Sequence, residues 1–108
     1  MDDRTATARS KAHILTIIFE ALGELNDALE SSERLALSPE TLLYGEDGQL
    51  DSLQLVELLI CSEQRLEDEF GVSMTLADER ALARTTSPFR SVATLVDYVE
   101  ERLEGDDR

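Results

Sequence analysis

One cysteine, one histidine and ten basic residues set against twenty-four acidic ones are the first boundaries of this chain. The single cysteine, Cys61, excludes an internal disulfide and fits a reducing compartment. No basic residue adjoins it in sequence to lower its pKa, so it reads as a small filler rather than a nucleophile. The single histidine, His13, leaves no repeated His or Cys spacing for a zinc site, and a Ser-His-Asp hydrolase would need it to reach a distant serine. Glu46-Asp47-Gly48 lacks the alternating ligands of a calcium loop. Scarcity of positive charge, a formal net charge of -14, argues against direct binding to nucleic acid or to an anionic membrane. No apolar run approaches a membrane span, and Met1-Asp2-Asp3-Arg4 has no apolar signal core, so a cytoplasmic protein is expected.

What is present is enough for one domain. The chain has 108 residues, 42% of them hydrophobic, and a core without staples is feasible at that size. Residues 1–9 have no periodic apolar face and are expected to be flexible. Ile14, Ile18, Leu22, Leu25 and Leu29 recur at spacings of four and three, which predicts a helix from Ser10 to about Glu30. Ser31 to Leu50 reads as a long ordered loop, with one helical turn at Ser38-Pro39-Glu40 and too many leucines, with Tyr44, to be a solvated linker.

Asp51 followed three residues later by Gln54 is a capping-box signature, predicting a helix from about Ser52 to Phe70 with Gly71 at its C-terminus. Leu55, Val56, Leu58, Leu59, Ile60, Leu66 and Phe70 make its apolar arc wide, and some of that arc should stay exposed. Val56, Leu59 and Phe70 read as core, while Leu53 and Leu55 read as contacts offered to a partner. A short helix is expected from Thr75 or Asp78 to about Arg84. Ser91 can cap a last helix carrying Val92, Leu95, Val96, Val99 and Leu103, before Gly105 releases a flexible tail over 105–108. The expected fold is therefore all-α: a small antiparallel bundle of three long helices and one short helix over residues 10–104, with a long first loop. That loop can let two helices run nearly parallel and leave Ser52 exposed at one end.

Asp51-Ser52-Leu53, preceded by Gly48 and followed by Val56-Glu57-Leu58 and then Leu66-Glu67-Asp68-Glu69-Phe70, resembles the acyl carrier proteins and the related peptidyl and D-alanyl carrier proteins. Ser91-Val92 leading to Leu95-Val96-Asp97-Tyr98-Val99 looks like the last helix of that family, and the likeness covers about Ile14 to Leu103. The resemblance implies an acyl-carrier-like fold and a non-enzymatic role. It implies that a phosphopantetheinyl transferase moves 4′-phosphopantetheine from coenzyme A onto Ser52, with Asp51 and Leu53 flanking the attachment point. The arm would hold an acyl or aminoacyl group as a thioester, which a loading ligase and downstream acyl-processing enzymes would use. A monomer is expected. The second helix is about four residues longer than in typical carriers, close to one turn of about 3.6 residues, and the segment Ala77 to Arg90 is also longer.

The residues agree with that reading on physical grounds. A phosphodiester on Ser52 would lie at the positive end of a helix dipole, which favours an exposed anion by roughly 0.3 to 1 kcal/mol. Asp51 either caps the helix or helps place metal and coenzyme A during transfer. Glu57 and Glu63 are candidate partner contacts for basic patches; the Asp68-Glu69 end reads as a solvated face. An attached acyl chain has the apolar arc of the second helix as a lining. The alternative is an unmodified acidic helical adaptor or nucleic-acid mimic that binds a basic protein through charge alone.

Overall fold

The structure is a computed structural model, describing residues 11–76 and 88–106. Among the described residues it contains three helices, one 3-10 turn at Ser31–Glu33 and no strand, the helices being α1 (Lys11–Asp27), α2 (Ser52–Phe70) and α3 (Val92–Asp106). The expected flexible N-terminus and the expected short helix to Arg84 lie outside the described residues.

α1 is the helix against which both others pack. Its periodic residues Ile14, Ile18, Leu22 and Leu25 are buried as predicted, joined by Ile17 and Ala21, which widen the stripe enough to serve two neighbours. Three cross-helix contacts fix the direction of α2. His13 stacks edge-on with Phe70 at 5.2 Å, Arg65 Nη1 meets Glu20 Oε1 at 3.2 Å, and Cys61 Sγ donates to Glu24 Oε1 at 3.1 Å, so rising numbers in α1 meet falling numbers in α2. The two helices are antiparallel. Leu55, Leu58, Leu59 and Leu66 supply the α2 side of the core, and Val92, Leu95, Val96, Val99 and Leu103 supply the α3 side. Each fully buried leucine contributes about 1.5–3 kcal/mol of apolar transfer.

α1 ends earlier than the leucine stripe predicts, at Asp27, because the backbone tightens: Ala28 N donates to Leu25 O and Leu29 N to Asn26 O. The Arg34 guanidinium, through Nε, donates to the carbonyls of Asn26 and Leu29, meeting the negative end of the helix. The carboxamide of Asn26 binds the backbone of Leu35 in both directions at 2.9 Å, so the chain that leaves α1 is fastened back onto it. Leu35 and Leu43 are buried and Leu42 is half-buried, as expected of a packed loop, whereas Leu37 and Tyr44 are exposed. Ser38 to Thr41 forms a turn closed by Thr41 N on Ser38 O rather than a helical turn.

One residue of this loop ties the beginnings of two helices together. Leu43 N donates to Arg90 O at 2.7 Å, and Leu43 O accepts from Leu50 N at 2.8 Å. An isolated antiparallel bridge pairs Leu42 with Ser91 beside it. α2 and α3 therefore start at the same end of the molecule and run in the same sense. At the other end Arg102 donates to Thr75 O, which holds the chain that leaves α2 against α3. Gly105 does not release the chain where expected, since α3 continues through Asp106.

Candidate functional site

The start of α2 is built by its cap. Asp51 takes an extended conformation, with φ -86° and ψ 178°, and its Oδ1 accepts from Gln54 N at 2.8 Å. Gln54 Oε1 accepts from Asp51 N at 3.0 Å, which closes the reciprocal box. Leu55 N reaches Asp51 O at 3.0 Å. Of the first four helical amides, those of Gln54 and Leu55 are thus occupied, and those of Ser52 and Leu53 have no protein acceptor among the described residues. Ser52 is exposed above them.

The start of α3, close by, is treated in the opposite way. Val92 N donates to Thr41 O and Ala93 N to Pro39 O, while Thr94 N meets Ser91 Oγ and Leu95 N meets Ser91 O. Every amide in its first turn is claimed. The pair of helix starts therefore offers one open set of donors, and it lies under Ser52.

The approach to Ser52 depends on backbone contact as close as the chain allows. Gly48 sits against Leu43 and Tyr44, where an added Cβ would lie 2.5 Å from Leu43 O and 2.6 Å from Tyr44 Cα. Only glycine fits that crossing, and it lets Leu50 reach its bond to Leu43. At the far end of α2, Gly71 closes the helix in the left-handed region, φ 71°, with its N–H on Glu67 O.

Along α2 the predicted contacts separate. Leu53 is 67% exposed beside Ser52. Leu55 is 5% exposed and belongs to the core, so it offers nothing to a partner; Val56, read from sequence as core, is 43% exposed, with Ile60 at 48%. The helix is rotated relative to the sequence reading, because the side of its wide apolar arc that meets α1 is the Leu55-Leu58-Leu59-Leu66 side. The residues missed are Val56 and Ile60; their spacing of three and seven from Leu53 is the signal that places all three on one face. Glu57 is exposed at the edge of this stripe. Glu63 is not free for a partner: its Oε2 accepts from Leu76 N at 2.7 Å and anchors the buried Leu76.

No family model, characterised protein or solved structure matches this chain. Its chemistry must be read from its own geometry.

Two hollows flank the start of α2. A small one of about 170 Å³ lies in the seam with α1, lined by Ala21, Leu25, Ala28, Glu57 and Cys61 among others. Burial, and then the Glu24 carboxylate, pushes the Cys61 thiol up from its ordinary value. Arg65, one turn further on and invisible as a sequence neighbour, reaches the same Glu24, whose carboxyl is held down first by the Cys61 hydrogen bond and then by Arg65. A neutral, hydrogen-bonded thiol is a poor nucleophile, in line with the sequence reading. The larger hollow, about 450 Å³, opens between the 3-10 turn and the cap of α2.

His13 and Ser52 sit at opposite ends of α2, about 27 Å apart along the axis at 1.5 Å per residue, so no serine-histidine pair forms. No cluster of three metal-ligating side chains occurs among the described residues, and no described helix is long and apolar enough to cross a membrane.

Proposed function

We propose that the chain is a carrier protein that bears 4′-phosphopantetheine on Ser52 and presents a thioester-bound acyl or aminoacyl group to partner enzymes. The observation that carries this reading is the exposed Ser52 hydroxyl above the two helix amides that have no acceptor among the described residues, at the one helix start of the α2–α3 pair that is not closed by the loop. An anionic phosphodiester at that oxygen would receive two backbone donors and the positive end of the α2 dipole.

In the transfer, the Ser52 hydroxyl oxygen bonds to the phosphorus that carries pantetheine in coenzyme A. The pyrophosphate bond breaks, adenosine 3′,5′-bisphosphate leaves, and the serine proton passes to the transferase or solvent. Nothing in the carrier need ionise the hydroxyl: Asp51, its nearest carboxylate in sequence, is committed through Oδ1 to the cap. Leu53, Val56 and Ile60 give partners an apolar strip leading away from Ser52, and Glu57 gives it an acidic edge. With a formal net charge of -14, encounters with basic partner surfaces are accelerated in a salt-dependent way.

Intact mass tests the reading. The wild-type chain incubated with coenzyme A and a broad-specificity phosphopantetheinyl transferase should gain one phosphopantetheine, and Ser52→Ala should gain none. An unchanged wild-type mass would leave the charge-only adaptor as the better account.

A further inference from the structure

The hollow beside Asp51 has a mixed lining that the carrier reading does not by itself require. Leu29, Leu35 and Leu50 line it, Gln49 and Gln54 contribute carboxamides, and Glu33 and Asp51 contribute carboxylates. At about 450 Å³ it is large enough for a small organic group, and it begins one residue from Ser52. Its polar equipment suits a particular guest. Gln54 spends its Oε1 on the cap and retains its amide hydrogens as donors, while Asp51 spends Oδ1 and retains Oδ2 as an acceptor. Glu33 lies in the 3-10 turn, and no hydrogen bond or ion pair among the described residues engages its carboxylate.

A leucine lining with flanking carboxamides matches an arm made of short alkyl pieces and amides. Two carboxylates in a half-enclosed hollow favour a cation and disfavour an anion. A lining this polar also gives a long alkyl chain little to bury against.

We propose that this cleft receives the cargo end of the arm on Ser52, and that Glu33 and Asp51 select a short aminoacyl group with a free ammonium over carboxylate-bearing or long alkyl acyl groups. The inference rests on the carrier reading of Ser52 and adds to it the chemical class of the cargo. The aminoacyl ammonium lies against the carboxylates, its thioester carbonyl takes a Gln54 or Gln49 amide hydrogen, and the arm's methyls cover the leucines.

The full chain is loaded by a broad-specificity transferase from alanyl-, malonyl- or hexanoyl-coenzyme A. Loading is verified by mass and observed at about pH 6.5, where an α-amino group keeps its proton. Backbone amide shifts at Leu35, Gln49, Leu50 and Gln54 should move with the alanyl cargo and stay near those of the unacylated arm with the malonyl and hexanoyl cargoes. Glu33→Gln, a change at an exposed residue, should abolish the alanyl-specific shifts. It should also shorten the thioester's half-life about two- to fivefold, the range set by the loss of one partly exposed charge pair. Equal shifts with all three cargoes, no shifts with alanyl, or an unaltered Glu33→Gln variant would each overturn the proposal while the mass gain upholds the carrier reading. Absence of any mass gain would overturn both.

Discussion

Replacing Asp51 separates its structural role from any role in the proposed transfer of a phosphopantetheine arm. In the folded chain Asp51 supplies one cap bond through Oδ1 to Gln54 N, and its own N–H is held in return by the Gln54 side chain. Asparagine keeps an oxygen acceptor at the same place and keeps the backbone N–H, so Asp51→Asn should lose only the charge at the positive end of the helix, about 0.3–1 kcal/mol. Alanine removes the acceptor altogether. Gln54 N then lacks its partner and the reciprocal bond loses its geometry, which costs about 1–2 kcal/mol in all. For a domain of this size the alanine variant should melt roughly 4 °C or more below wild type, with the asparagine variant between them. Urea titration followed by circular dichroism measures both, with equal m-values expected because the exposed surface is unchanged. The two variants should then be compared in the mass-gain assay at a temperature where both are folded. An asparagine variant that is stable yet takes up the arm slowly places Asp51 in the transfer step as well as in the cap. The cap argument would be refuted if asparagine cost as much stability as alanine, or if alanine cost nothing.

Other expectations follow from particular contacts. Gly48→Ala should destabilise the fold by about 1–3 kcal/mol, because its Cβ meets Leu43 and Tyr44 backbone that cannot move aside alone; denaturation measures the loss. Asn26→Ala removes both bonds to the Leu35 backbone and should cost about 1–3 kcal/mol. It should also raise hydrogen exchange in residues 31–37, which a purely helical defect would leave alone. Cys61 should react with iodoacetamide at pH 8 more slowly than an unstructured thiol, since burial and then Glu24 raise its pKa. The depressed Glu24 carboxyl stabilises the fold fully above its unfolded value of 4.5, a contribution lost as pH falls through the lower folded value. Cys61→Ala removes the largest cause of that depression, so the variant's stability should fall less steeply than wild type below pH 4.5.

Local grammar made α2 readable residue by residue: Asp51 and Gln54 start it, Gly71 ends it, and those signals act within a few positions of the backbone they satisfy. The Ser91 cap of α3 was readable for the same reason. The rotation of α2 was not. Leu55 and Val56 are adjacent and both apolar, and which of them is buried is decided by α1, which lies more than twenty residues away in sequence. The loop's attachments were equally hidden, since Leu43 finds Arg90 and Ala93 finds Pro39 across nearly half of the chain. Glu63 read as a partner contact until Leu76 returned to it. At the site itself, the exposed serine, its cap and Leu53 were legible. The cleft was not, because Glu33 and Leu35 reach it only through the turn that Asn26 and Arg34 hold in place.

The double attachment of Leu43 makes the two helix starts a single opening unit. Its N–H ends on the approach to α3, its carbonyl ends on the approach to α2, and its side chain is fully buried between them. Both bonds belong to one fully buried residue. The amides of Leu43, Leu50 and Val92 should therefore exchange with deuterium at a common rate and with a common denaturant dependence, as one cooperative segment. One leucine's backbone thus links Arg90, ahead of α3, to Leu50, two residues before Ser52.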